Sequence, residues 1–439
     1  MRCLLACLAL LAALPGATPA AAQPDFSRVD ALLQDSLALV GGGAVLRVVT
    51  ADAVLTERVY GRFAAAEAVP IASASKWISG AVVLSLVDSG LLSLESPLSQ
   101  FFPDLTGAKR AITVRQLFSH TSGIVAPETG SCHTSGAGTL AACAAEILAR
   151  PLRFAPGTGF FYGGGSMQVA GRVAEIASGQ SWNALFAARI AGPLGMTGTG
   201  YSPTNPWVSG GLVSTAQDYT AFLQMVLGRG VYRGRRVLSA AAIDAMLADQ
   251  TAGAPVLFSP FTQYVGGDPD LPPAQPRYGV GVWRERLSGS GALEHASSQG
   301  AFGTSPWVDL AHGRAGILLV QDDLPDVMWT YLELKRRLAT ALDGTTAAEN
   351  GPGGAGARLG PPAPNPATGR VRLPVTLAAP ADVRLDVFDV RGRRVAGVAP
   401  AQMGTSTIDV DVGALARGLY VAVLRVDGVV SGRQRIVVR

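Results

Sequence analysis

The sequence predicts an α/β chain of the α+β kind: an antiparallel sheet flanked by helices, a helical lobe inserted between its strands, and a C-terminal β-sandwich domain. Three observations predict it. Strand-like stretches stand at both ends of a long region that is mainly helical in between. An interval at residues 344–366, "GTTAAENGPGGAGARLGPPAPNP", is rich in Gly, Ala and Pro and has no apolar periodicity. Beyond it, short runs alternate apolar and polar residues with turns between them. The chain has 439 residues, 48% hydrophobic and 15% charged, enough core material for two or three domains and far from a disordered composition.

In chain order, the start "MRCLLACLALLAALPGATPAAAQPDF" has one positive residue, an apolar run broken at Pro15 and small residues at Ala20 and Ala22. It reads as a secretory signal over residues 1–22, cleaved near Gln23; the run is too short for a membrane anchor. Cys7 lies too near the start to be a lipoprotein cleavage site. "FSRVDALLQDSLAL" has helical spacing, and "AVLRVVTAD" with "AVLTERVYG" forms a hairpin. Residues 73 to about 250 are mainly helical. Strands return in "RYGVGVWRER", "ALEHASS", "TSPWVDLA" and "AGILLVQ", and an amphipathic helix, "DVMWTYLELKRRLATAL", closes the large domain. The predicted boundaries are a domain over 23–343, a linker over 344–363 and a sandwich over 364–439. "GPGGAG" in the linker matches a dinucleotide fingerprint in letters alone, because no strand precedes it and no helix follows.

The formal charge of +4 is uneven: residues 364–439 carry eleven arginines, six aspartates and no glutamate, leaving residues 23–363 near neutral. No nucleic-acid partner is expected of such a domain, nor is a transmembrane helix expected later in the chain. In the mature protein Cys132 and Cys143 remain. In an oxidising compartment they pair as a disulfide closing a surface loop. The alternative, a metal site with His133, lacks a fourth ligand, so neither a metal nor another cofactor is expected.

"PIASASKWISG" at residues 70–80 places Ser73 three positions before Lys76. A serine hydroxyl needs a base to take its proton, and one helical turn puts the lysine amine within reach of it. The amine must be neutral to serve, a condition favoured by the apolar helix "WISGAVVLSLVDSG" that follows. Lys76 is one of three lysines among 36 basic residues, and arginine could not replace it as a base. The competing reading makes Ser73 or Ser75 a helix N-cap and Lys76 a solvent-facing residue.

"IASASK" resembles the first motif of the serine β-lactamase and penicillin-binding-protein superfamily, in particular its class C-like hydrolases. So, in the same order, do "VRQLFSHTSGI" (114–124), "PGTGFFYGGGSMQVAGRVAE" (156–175), "GPLGMTGTGY" (192–201), "GGLVSTAQDYTAFLQMVLGRG" (210–230) and "RYGVGVW" (277–283). The resemblance covers residues 27–342 and implies a β-lactamase/transpeptidase-like fold with an acyl-enzyme formed on Ser73. It implies that Lys76 is the base and that Tyr162, in "FFYGGG", shuttles the proton; the alternative for Tyr162 is an aromatic packed at a glycine-rich turn. The third motif, usually Lys-Thr-Gly or His-Thr-Gly, falls on "EHASSQGAFG". There His295 is expected beside Tyr162, and the backbone N–H of Ser298 joins that of Ser73 as an oxyanion donor. The alternative for His295 is a strand histidine satisfied locally. His120 and His133 are expected to be structural, and Asp218 part of a capping box with Thr215.

Gly164 stands where the second motif commonly has asparagine, and His295 and Ser297 where the third has lysine and glycine. These departures weaken recognition of a β-lactam, leaving weak β-lactamase activity as one alternative. They favour an esterase, a D-amino-acid amidase or a carboxypeptidase-like enzyme on a small-molecule or peptidoglycan-like substrate. They leave room for a non-catalytic binding or sensor protein that keeps the fold. "PNPATGRVRLPVTL", "VRLDVFDVRGRRV", "GLYVAVLRVDG" and "RQRIVVR" resemble the C-terminal sorting domain of type IX export substrates. That implies a partner in the export machinery and a secreted or cell-surface destination. A carbohydrate-binding sandwich is the alternative, although Phe388 and Tyr420 are the tail's only aromatic residues.

Overall fold

The computed structural model describes residues 24–127, 130–260, 278–343, 357–389, 394–427 and 429–439. The expected signal (1–22) and residues 344–356 of the expected linker lie outside the described residues. The large domain opens with helix α1 (Ser27–Asp35) and the hairpin β1 (Gly43–Thr50) and β2 (Val54–Gly61). The buried helix α2 (Ser75–Asp88) and the lobe helices α3 (Leu140–Ala149), α4 (Gly165–Ser178) and α5 (Ala216–Leu227) follow. Strands β3 (Trp283–Leu287), β4 (Leu293–Ser297), β5 (Ser305–Asp309) and β6 (Arg314–Leu319) return the chain to the sheet, and α6 (Leu324–Asp343) closes the domain. The six strands lie in the order β2-β1-β6-β5-β4-β3, all neighbours antiparallel. Both ends of the domain therefore meet at the centre of one sheet, β1 against β6.

Side-chain alternation explains why the central strands read as unbroken apolar runs. Ala44, Leu46 and Val48 pack with α1 and α6 on one face. Val45 and Val49 pack with α2 and the lobe on the other. Helix α2 is buried at every position from Ser75 to Leu86, which accounts for its lack of a polar stripe. Full burial of Trp77, Ile78, Val82 and Leu84 contributes roughly 1.5–3 kcal/mol per side chain before entropy is charged. Gly90, with φ of +71°, follows the helix where a left-handed residue is needed.

The tail forms two sheets. One has β7 (Arg358–Leu359), β8 (Arg370–Thr376) and β11 (Ser406–Asp411); the other runs β10 (Arg394–Met403), β9 (Ala381–Asp389), β12 (Gly418–Val426), β13 (Val429–Val438). Their inward residues, such as Val371, Leu373, Leu385 and Leu424, share one core. Strand β7 falls inside the stretch 344–363 read as linker: Arg358 and Leu359 pair with Thr376 and Val375, so the sheet begins before Pro364. Among the described residues no helix is long and apolar enough to cross a membrane.

Candidate active site

Ser73 sits in a tight turn, Ala72–Ala74, immediately before α2. Ala72 holds a φ of +44°, a left-handed conformation costly for a residue with a Cβ, so the turn is over-determined by its surroundings. Those surroundings are visible: Ala74 N–H donates to the Ile71 carbonyl, Ile71 N–H to that of Leu212, and the Tyr219 hydroxyl to that of Ala74 at 2.7 Å. Neither Ser73 nor Ser75 caps the helix; Ser75 Oγ instead accepts the Leu212 N–H at 3.1 Å. Lys76 is 3% exposed. Its Nζ donates to Ser73 Oγ at 2.8 Å and to the Ser209 carbonyl at 2.9 Å. The solvent-facing alternative for Lys76 is thereby excluded, and the serine hydroxyl and lysine amine are in contact.

Tyr162 follows the short strand Phe160–Phe161, and its ring face lies 4.8 Å from the Lys76 amine. The ring is stacked on Trp283 at 5.1 Å and tilted against His120 at 4.6 Å. These neighbours fix the phenol's direction through packing. Tyr278 is close by, 6.1 Å from Tyr162 between centroids, but it is fully buried. Burial, and then the charge of nearby tyrosines, pushes its phenol well above the ordinary value. Tyr162, half-buried, is therefore the better placed of the two to exchange a proton.

The third strand is where the expectations need correction. His295 Nε2 lies 3.5 Å from Asp309 Oδ1, on the face of β4 turned towards α6, in a cavity of about 190 Å³ lined also by Glu285, Trp307, His312 and Lys335. Ser297 and Gln299 share that face: Gln299 Nε2 donates to Ser297 Oγ at 2.9 Å and to Glu285 at 2.8 Å. The opposite parity carries Ala296, packed with α2, and Ser298, whose Oγ donates to the Ser73 carbonyl at 3.2 Å. His295 thus lies with Asp309, Glu285 and Lys335 against α6, and not among the rings of His120, Tyr278 and Trp283 that pack on Tyr162. Ser298 is the side chain that meets the Ser73 turn. Its N–H, assigned above to the oxyanion, donates to the Pro306 carbonyl in the sheet at 3.3 Å. Gly300 then passes hard against the turn: a Cβ there would lie 2.1 Å from the Ile71 carbonyl oxygen.

Gly164 lies at the head of α4, where a Cβ would meet Ser209 Oγ at 2.6 Å and the His133 ring at 3.0 Å. The space that a motif asparagine would need is filled by these two residues. Cys132 and Cys143 form a disulfide. Among the described residues no group of His, Cys, Asp and Glu is placed to hold a metal ion. Asp218 accepts from Gly198 N–H and Thr199 Oγ1, so Thr215 caps α5 through the Asp218 N–H without the reciprocal half of a capping box.

One contributor was not singled out from sequence, and a second was expected to be structural. The Ser209 carbonyl is a backbone atom 133 positions from its donor, and no residue type signals it. His120 was read as structural, yet it is buried against Tyr162, Tyr278 and Phe160. Burial, then the charge of Lys76, drives its imidazole well below the ordinary value, so it lines the site uncharged.

A family model described as Beta-lactamase matches residues 29–341, and the chain belongs to that family, whose members are serine hydrolases. A second model, Secretion system C-terminal sorting domain, matches residues 363–439 and marks the protein for type IX export to the cell surface or medium. The fold is shared with a β-lactamase-like protein of Bacteroides dorei DSM 17855, at TM-score 0.64 and 32% identity, covering 71% of this chain and 98% of that one. Lovastatin esterase of Penicillium rubens is 26% identical over 57% of this chain and 70% of its own length. Penicillin-binding protein 4 of Amycolatopsis lactamdurans is 30% identical over 41% of this chain and 56% of its own. The chain thus spans a little over half the length of several curated relatives.

Proposed function

We propose that the protein is an exported class C-like serine hydrolase that acylates on Ser73 and hydrolyses a small ester or amide. The observation that carries this reading is the 2.8 Å contact between a buried Lys76 amine and Ser73 Oγ. In its neutral form the amine accepts the hydroxyl proton as Oγ bonds to the substrate's carbonyl carbon. Tyr162 relays that proton to the departing alcohol or amine as the carbonyl C–O or C–N bond breaks. Water then repeats the sequence on the acyl-enzyme and frees Ser73.

Along β4 and its extension, backbone N–H groups point alternately to the two sides. Those of Ser298 and Gly300 donate to Pro306 and Thr304. The amide of Ala301, of opposite parity and one residue beyond the closest approach to the turn, is therefore our choice of second oxyanion donor beside that of Ser73. A pair of such donors contributes several kcal/mol, about 3 for each.

Two residues, Gly164 and Ser298, support the substrate class. Gly164 supplies no amide side chain, and Ser298 supplies a neutral hydroxyl on the third strand. Both favour an ester or simple amide over a β-lactam, which agrees with the esterase among the relatives. A D-amino-acid amidase or D-Ala-D-Ala carboxypeptidase-like activity uses the same steps. The test is a panel of p-nitrophenyl esters, D-alanyl p-nitroanilide and nitrocefin. Turnover of an ester or anilide well above that of nitrocefin is expected; preference for nitrocefin overturns the substrate assignment. Hydrolysis of none marks the protein as a non-catalytic binding member.

A further inference from the structure

The Cys132–Cys143 disulfide lies far along the chain from Ser73, yet a path of partly and fully buried hydrogen bonds, joined through the Val208–Ser209 peptide, leads from it to Lys76. Cys132 opens a short turn, Cys132–Thr134, and the disulfide pins that turn to α3 at Cys143. Asn205, 1% exposed, reads the pinned turn with one amide nitrogen: Nδ2 donates to the carbonyls of Cys132 and Ser135 at 2.8 Å and Ala137 at 3.3 Å. Its Oδ1 accepts from Gln168 Nε2 at 3.1 Å, and Gln168 Oε1 accepts the Val208 N–H at 3.1 Å. The next residue is Ser209, whose carbonyl holds the Lys76 amine at 2.9 Å. His133, carried by the same turn, lies within contact range of the Cβ site at Gly164, beside Ser209 Oγ.

We propose that the Cys132–Cys143 disulfide, acting through Asn205, is a positioning device that holds the Ser209 carbonyl where it orients the Lys76 amine on Ser73. This rests on the reading of Lys76 as the base. The disulfide and Asn205 touch no substrate; they act through Lys76. Closing the loop covalently removes conformations in which the three carbonyls leave Asn205. A free Asn205 amide in a buried site would be costly, so loss of the loop's carbonyls shifts the 205–209 segment and not the loop alone. The family resemblance gives no reason for two cysteines here; the hydrogen-bond chain does.

The test uses the full-length oxidised protein, its Cys132→Ser/Cys143→Ser variant, and oxidised Asn205→Ala. Dithiothreitol reduction transfers two electrons and two protons to the disulfide, giving two titratable thiols and cyclic oxidised dithiothreitol. With two thiols counted beyond those of Cys3 and Cys7 and the near-UV circular dichroism still native, acylation by a p-nitrophenyl ester is expected to fall roughly tenfold, since misplacement by a fraction of an ångström already slows attack. KM should barely change, the acid limb of the pH–rate profile should move, and air oxidation should restore both. If reduction unfolds the chain, oxidised Asn205→Ala must show the same kcat loss and pH shift. A readout independent of turnover comes from the chain's three lysines: with 13C at the lysine Cε, the Lys76 signal should move on loss of the disulfide while that of Lys335 stays. An unchanged Lys76 signal and pH profile in the thiol form overturns the proposal. A moved signal in a protein that hydrolyses nothing overturns the hydrolase reading and leaves the positioning chain standing.

Discussion

Replacing Gly300 by alanine tests how closely the third strand must approach the nucleophile turn. The added Cβ would stand 2.1 Å from the Ile71 carbonyl oxygen and 3.0 Å from its carbon, where ordinary contact begins at 3.4 Å. Both obstacles are backbone, so the strand and the turn must part by about 1.3 Å. A displacement of about 1 Å between reacting groups costs on the order of a hundredfold in rate, which is about 2.7 kcal/mol of barrier. Overpacking at the same site costs roughly 1–3 kcal/mol of stability. Stopped-flow acylation by a p-nitrophenyl ester should therefore show kcat/KM reduced about a hundredfold at a temperature where the variant is fully folded. Gly289→Ala, in the β3–β4 turn with nothing within 4 Å of its added Cβ, is the control and should match wild type. Wild-type acylation by Gly300→Ala would refute the close approach on which the oxyanion geometry rests.

Further outcomes follow from the same geometry. Lys76→Ala and Lys76→Arg should both lower the acylation rate by about 10²–10⁴, because arginine keeps a charge but cannot accept a proton; the burst phase reads this directly. Tyr162→Phe keeps the stack on Trp283 and loses the phenol, so single-turnover kinetics should slow by about 10² or more while KM stays near wild type. His295→Asn should leave acylation unchanged, since His295 faces α6. It should alter acid stability. Burial first, then the Lys335 charge, lowers the His295 imidazole below its ordinary 6.5 against the opposing pull of Asp309 and Glu285. The unfolded chain then binds the extra proton as pH falls below 6.5, and stability is lost in that direction by at most about 1.4 kcal/mol per pH unit. Urea titrations between pH 7 and 5 should show a shallower slope in the variant than in wild type, the remainder coming from His120, whose imidazole is lowered in the same direction.

How much of this was legible in the sequence depended on whether the signal was local. Ser73 and Lys76 are one helical turn apart, and the apolar residues around them announce burial, so their contact could be read from spacing. The strands at both ends of the domain were equally plain, because two-sided burial writes itself as Val, Leu and Ile in succession. The third motif was matched by letters in "EHASSQG", whereas the strand turns its side chains alternately, with His295, Ser297 and Gln299 on the α6 face and Ala296, Ser298 and Gly300 on the other. Gly300 carried the missing signal, a glycine where two backbones touch. The Ser209 carbonyl had no signal to give. Peptide oxygens look alike in every sequence, and only the fold decides which one meets a lysine.

Ser73 Oγ is the reactive hydroxyl of the proposed mechanism, and a covalent probe reports on it directly. A fluorophosphonate incubated with the full-length protein, followed by tryptic mass spectrometry, should place a single adduct on Ser73. Labelling should disappear in Ser73→Ala and slow at least a hundredfold in Lys76→Ala. An adduct on any other serine, or labelling of Ser73 at an unaltered rate without the lysine amine, would contradict the account.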